Sequence, residues 1–74
     1  MNKDRRKQVY DVIAALNKIE TLIQNILDEE QEAFDNMPEG LQLSDNGMIS
    51  EEAQENLEAA IDSLEEAISH LEEI

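Results

Sequence analysis

The side chains of this chain that could do chemistry are carboxylates, and they are most crowded over residues 28–35. Glu29 and Glu32 are three residues apart, so both would lie on one side of a helix. The same spacing separates Glu55 from Glu58. Clustered oxygens of this kind bind hard cations such as magnesium. With 19 acidic residues among 74, such pairs arise by chance, and we predict no metal site and no bound cofactor.

The sequence offers no recognisable combination of residues for nucleophilic catalysis. It contains no cysteine, which excludes a thiolate zinc site, and its single histidine, His70, has no expected partner that would make it a catalytic base. A phosphate-cleaving site would also need a neighbouring cation, and no Lys or Arg follows Lys18. We therefore predict that the protein is not an enzyme. His70 is interpreted as a cation near the end of a helix.

Charge is divided unevenly along the chain. All 5 basic residues precede residue 19, and the formal net charge is −14. Surface of one sign repels nucleic acid and anionic membranes, and it attracts basic protein surfaces. We expect a protein partner, with neither direct nucleic-acid binding nor membrane binding. The carboxylates expected to form an acidic face are Asp28, Glu29, Glu32, Asp35, Glu55, Glu58, Asp62 and Glu65.

A first helix is predicted from about Asn2 to Asp35. From Val9 onward, apolar residues recur at alternating spacings of three and four, which is typical of an amphipathic helix. With Val9 at heptad position a, the apolar stripe covers positions a, d, e and g. This stripe is wider than a two-stranded coiled-coil seam, so the helix should contact more than one neighbour. Glu30 occupies an a position, where we expect a backbone amide of the following link to bind it.

A link is predicted over residues 36–49. Pro38 disfavours helix in the residue before it, and glycines supply turn conformations. Ser44-Asp45-Asn46-Gly47 is predicted to form a second turn. The apolar residues of the link favour packing over the end of the hairpin. The residues expected to form this surface, which a partner could also contact, are Glu30, Phe34, Met37, Leu41, Leu43 and Met48.

A second helix is predicted from about Ser50 to Ile74, with Ser50 as its N-cap. An earlier start near Gly47 is the alternative. From Leu57 the sequence repeats every seven residues, with leucine at a, alanine at d and isoleucine at e. The residues expected to form the oligomer core of both helices are Leu16, Ile19, Ile23, Ile26, Leu57, Ile61, Leu64, Ile68 and Leu71.

Two long helices and a compact link predict an all-α fold: an antiparallel helical hairpin in a single domain, residues 1–74. Basic residues near the start of the first helix and acids near the end of the second each oppose a helix dipole. An antiparallel arrangement would place these ends side by side. A core of this size is marginal without disulfides, so we expect two hairpins to pair as a homodimeric four-helix bundle.

The segment Asp-Glu-Glu-Gln-Glu-Ala-Phe-Asp-Asn-Met-Pro-Glu-Gly-Leu-Gln, residues 28–42, resembles a motif of small acidic helical proteins from phages, prophages and mobile elements of Gram-positive bacteria. The basic start and the Leu-Glu-Glu-Ala-Ile pattern of the second helix are similar as well. The resemblance implies a phage origin and carries over no activity and no functional residues. Because no apolar run approaches ~20 residues, we expect a cytoplasmic protein, in the host cytoplasm if it is phage-encoded.

These features favour a non-enzymatic protein–protein interaction module. One version is an inhibitor of a host defence or nucleic-acid-handling protein, in which rows of carboxylates imitate duplex phosphates. An alternative is a structural or assembly accessory protein of a phage. A further alternative is a magnesium-dependent nucleotide pyrophosphohydrolase of the all-α type, which rests only on the two carboxylate pairs.

Overall fold

The chain folds into helices only. The computed structural model describes all 74 residues, from Met1 to Ile74. Helix α1 spans Lys3–Asp35, the short helix α2 spans Glu39–Gln42, and α3 spans Asp45–Glu72. The prediction of an all-α fold with two long helices and a short link between them is confirmed.

The ends of α1 follow local sequence signals. Asn2 is the N-cap, and its side-chain Oδ1 accepts a hydrogen bond from the backbone N–H of Arg5 at 2.8 Å. At the other end, the N–H of Asn36 still donates to the Glu32 carbonyl at 3.0 Å. Pro38 has no N–H with which to continue this ladder. The helix therefore ends at Asp35, the last residue of the acidic run.

Helix α3 begins at Asp45, which is earlier than the predicted start near Ser50. The predicted turn at residues 44–47 is wrong, because Ser44 is the N-cap in an extended conformation and the residues after it form the first helical turn. Gly47 has no positive φ and lies within the helix. Ser50 is buried rather than exposed at a helix end. The close packing of the Gln42 backbone against Gly47 favours helix over a turn at this position.

The two long helices run antiparallel, so the first and last turns of the chain are neighbours. Leu71 of α3 lines a shallow apolar cavity of about 260 Å³ together with Met1 and with Val9 and Val12 of α1. The molecule measures 58 × 15 × 12 Å, a flat rod. The buried apolar side chains are Leu27, Ile61 and Ile68.

The seam between the helices is formed mainly by heptad positions a and e. On α1 the buried or half-buried residues are Val9, Ile13, Leu16, Glu20, Ile23, Leu27, Glu30, Gln31 and Phe34. On α3 the a and e positions are Gly47, Ser50, Gln54, Leu57, Ile61, Leu64, Ile68 and Leu71, all buried or half-buried. The d and g positions of α1 remain exposed. The wide stripe of α1 is thus only partly covered by α3.

Two antiparallel helices are related by a two-fold axis perpendicular to the plane that contains both of them. Because this axis does not exchange the two sides of the plane, side chains at the same heptad position of α1 and α3 lie on the same side of the hairpin. The hairpin therefore has two broad sides. We call the side formed by positions b and f the polar face, and the side formed by positions d and g the apolar face.

The link packs closely on the start of α3. The Gln42 side-chain Nε2 donates to the Phe34 carbonyl at 3.0 Å and ties the link to α1. An ideal Cβ on Gly47 would lie 1.9 Å from the Gln42 carbonyl oxygen, so this crossing requires glycine. Glu30 was predicted to bind a backbone amide of the link, but the side-chain hydrogen bond that joins the link to α1 is made by Gln42 and none is made by Glu30.

The charged chain ends lie close together without forming direct ion pairs. The one contact between a basic and an acidic side chain is that of His70 with Glu66, with Nε2 and Oε1 separated by 3.9 Å. Both side chains are highly exposed, so this pair contributes little to stability.

Candidate functional site

The polar face carries an open groove of about 430 Å³ along the middle of the hairpin. Leu27 and Ile61, both buried, form its floor. Two glutamines of α1 stand opposite three carboxylates of α3. The polar residues that line the groove are Gln24, Gln31, Glu58, Asp62 and Glu65. With no basic residue among them, the groove is suited to cationic groups.

A pair of glutamates lies at the seam beside this groove. Glu20 is half-buried at an e position, where α1 otherwise carries Ile13, Leu27 and Phe34. A hydrogen bond to the Glu65 side chain raises the pKa of Glu20, and desolvation and repulsion from Glu65 raise it further. Two carboxylates can share such a bond only when one of them holds a proton. At neutral pH the pair therefore opposes the packing of the two helices.

We expect Glu20→Gln to stabilise the hairpin at pH 7.5 and to have little effect at pH 3.5. A carboxyl group whose pKa is raised by folding stabilises the folded state at pH values below its ordinary pKa, which is about 4.3 for glutamate. This stabilisation is lost as the pH rises through the raised pKa of the folded state. Glutamine keeps the hydrogen bond at both pH values. Thermal unfolding followed by circular dichroism measures the effect.

The matched control for this prediction is Glu55→Gln, which removes the same charge from an exposed position of α3. An equal rise of the unfolding temperature in both variants would show that net charge alone determines the pH dependence. The Glu20–Glu65 contact would then have no specific role.

All eight carboxylates predicted to form an acidic face are exposed. Glu58, Asp62 and Glu65 line the groove. Asp28 lies near it, since its Oδ1 accepts a hydrogen bond from Gln24 Nε2 at 3.0 Å. Glu29 occupies a g position and therefore belongs to the apolar face. Sequence reasoning overlooked Gln24, Gln31 and Glu20, although Glu20 interrupts the apolar e positions of α1.

The residues predicted to form an oligomer core fall into two groups. Most of them pack within the hairpin itself, either buried or half-buried. These are Leu16, Ile23, Leu57, Ile61, Leu64, Ile68 and Leu71. Ile19 and Ile26, in contrast, are exposed at d positions of the apolar face. They have Leu22 and Val12 as exposed neighbours on that face.

The link surface is also divided. Phe34 and Met37 are half-buried at the end of α1, as is Glu30. Leu41, Leu43 and Met48 instead point their side chains into solvent. The hairpin tip therefore presents a small apolar patch beside an acidic helix end.

The opposite end of the hairpin carries the positive charge. Lys3, Arg6 and Lys7 line an open cavity of about 450 Å³ together with Asp4 and Tyr10. The Tyr10 side chain is exposed, and tyrosine is a residue type enriched at binding hot spots.

No three His, Asp or Glu side chains converge in a geometry that could hold a metal ion. The pairs Glu29 with Glu32 and Glu55 with Glu58 therefore stay isolated pairs. The enzyme alternative gains no support from the arrangement of the carboxylates.

Fold and surfaces together define a small acidic helical-hairpin protein with one polar and one apolar broad face. We found no match to the chain among models of protein families, curated proteins or solved structures. Neither long helix contains a stretch of sufficient length and hydropathy to cross a membrane. Function is therefore inferred from the two faces.

Proposed function

We propose that the protein is a non-enzymatic binding module that self-associates through its apolar face and engages a basic protein surface through its polar face. The observation that carries this proposal is the separation of charge between the two faces. The two long helices hold nearly all of the 19 acidic residues, yet Glu29 is the single acid at their d and g positions. The chain has a net charge of −14, yet its apolar face is almost free of charge. This face is therefore suited to burial.

The polar face supports the choice of a basic partner. Its carboxylates are exposed and lie on rigid helices, in a groove that contains no cation of its own. Such rows of negative charge can imitate the phosphates of a duplex and occupy the cleft of a nucleic-acid-handling protein. In line with the resemblance of residues 28–42, we propose a phage-encoded protein that acts on a host defence or nucleic-acid-handling protein in the host cytoplasm.

The exposed apolar tip favours a second candidate function. Leu41, Leu43 and Met48 are accessible and could seat the hairpin on another phage protein, as expected of a structural or assembly accessory protein. Apolar contact of this kind is insensitive to salt, whereas attraction between charged surfaces is screened by it. Salt dependence therefore separates the two functions.

We expect the hairpin to displace a fluorescent DNA duplex from a basic duplex-binding protein at about 50 mM salt and progressively less as salt increases. The variant Glu58→Gln, Asp62→Asn, Glu65→Gln should need roughly tenfold more protein for the same displacement, because three exposed charge contacts are lost. Fluorescence anisotropy across a salt series measures both effects.

The matched control removes three charges from the outer side of α3, away from the groove, as Glu52→Gln, Glu66→Gln, Glu73→Gln. Equal weakening in both triple variants would mean that net charge, and not the polar face, attracts the partner. Displacement that does not change with salt would contradict duplex mimicry. Affinity capture from infected host cells at low and high salt would then identify what the apolar tip binds.

A further inference from the structure

The apolar face consists of a ridge of large side chains beside a trough of small ones. The ridge is on α1, where Val12, Ile19, Leu22 and Ile26 are between 43% and 61% exposed. The trough is on α3, where the d and g positions from residue 53 to 67 hold Ala53, Asn56, Ala60, Ser63 and Ala67. Large side chains beside small ones on one flat side make a surface that is complementary to a copy of itself.

The register of the hairpin fixes how such a copy would fit. Glu20 contacts Glu65, and Leu71 lies beside Val9 and Val12. In this register Ile19 is level with the gap between Ser63 and Ala67. Ile26 is likewise level with the gap between Asn56 and Ala60. The two isoleucines of the ridge therefore each have a hole at their own level in the trough, and Leu22 is level with the small side chain of Ser63.

We infer that a second copy of this chain covers the apolar face, related to the first by a two-fold axis parallel to the helices. This inference rests on the self-association proposed above and specifies its geometry. An axis in that direction keeps every residue at its own level, so the α1 ridge of each copy enters the α3 trough of the other. The side chains then interlock as knobs in holes.

Charge and dimensions agree with this occupant. The single acid of the face, Glu29, is level with Asn56, whose amide in the second copy can donate a hydrogen bond to it. The hairpin extends 58 by 15 Å along its two longest axes, so a second copy of the same dimensions can lie along its length.

A two-fold axis perpendicular to the helices is the other way to stack two hairpins face to face. It would place α1 on α1 and α3 on α3. Ridge would then meet ridge and hold the alanines of the two troughs apart, leaving empty space that a close-packed interior does not tolerate. The parallel axis avoids this and leaves the two polar faces pointing in opposite directions, so the dimer is a bivalent acidic particle.

The first test places a charge in the interface. Ile19→Glu should raise the dimer dissociation constant more than about 100-fold, because a charge without a partner would be buried. Asn17→Glu adds the same charge to an exposed position of the same helix and should change it little. Sedimentation equilibrium measures both, and circular dichroism verifies that each variant stays helical. Equal effects of the two variants would overturn the assignment of this face.

The second test determines the orientation, using the absence of native cysteine. Leu22→Cys and Ser63→Cys are made in separate chains, mixed and oxidised, and the products are identified by mass. Disulfides between one chain of each type are expected. Disulfides of Leu22→Cys chains with each other would indicate the perpendicular axis and overturn the arrangement while leaving self-association intact.

A folded monomer at micromolar concentration would overturn self-association and this arrangement together. The DNA displacement by the polar face is measured separately, so its failure would contradict the proposed function without affecting the dimer.

Discussion

Replacing Leu27 by alanine is expected to lower the free energy of unfolding by about 2–5 kcal/mol. Leu27 is the most buried apolar side chain of the hairpin, at 4% exposure, and it lies against Ile61 on the floor of the groove. Removing its side chain loses both the burial of those atoms and their contacts. Since a chain of this size has few kcal/mol of stability to lose, the variant should be largely unfolded near 40 °C.

Urea and thermal unfolding followed at 222 nm test this expectation at a fixed protein concentration. Leu43→Ala is the control, because it makes the same chemical change at a side chain that is 78% exposed. It should cost less than about 0.5 kcal/mol. Equal losses in the two variants would mean that the contact between Leu27 and α3 does not hold the hairpin together.

The second large effect is expected at Gly47, where alanine should destabilise the protein by about 1–3 kcal/mol. Alanine in place of glycine inside a helix normally stabilises by up to about 1 kcal/mol. Here the added Cβ would lie 1.9 Å from the Gln42 carbonyl oxygen and 2.4 Å from its carbon. These are backbone atoms, so the link itself must move away from α3. Faster hydrogen exchange over residues 38–44 should accompany the loss of stability.

Gly40→Ala is the control, and we expect it to change stability in the opposite direction. Gly40 lies in α2, and an added Cβ would meet nothing within 4 Å. Gly40→Ala should therefore stabilise by roughly 0.4–1 kcal/mol, through the smaller conformational freedom of the unfolded chain. A stabilising Gly47→Ala would contradict the close crossing of link and helix.

The candidate site was only partly predictable from residue types. The carboxylates that line the groove were predicted, because charge is visible in the sequence. The groove also depends on Gln24 and Gln31, which carry no charge and gave no signal. Glu29 was grouped with the acidic face because it is close in sequence to Asp28, although one step along a helix turns the side chain by about 100°.

The sequence by itself determined the helical class of the fold and where α1 begins and ends. Those features depend on local chemistry: the Asn2 cap, the apolar period of three and four, and the missing N–H of Pro38. The start of α3 was not determined locally, because Ser44 and Ser50 are equally good caps. The crossing of Gln42 over Gly47 selects Ser44.

Only the tertiary structure decided which half of the wide apolar stripe enters the seam. Positions a, d, e and g of α1 are all rich in apolar residues, so the helix alone does not distinguish them. Helix α3 has leucine and isoleucine at a and e but alanine at d, and burying the larger side chains removes more apolar surface from water. The seam therefore formed at a and e, which left Ile19, Leu22 and Ile26 on the outside.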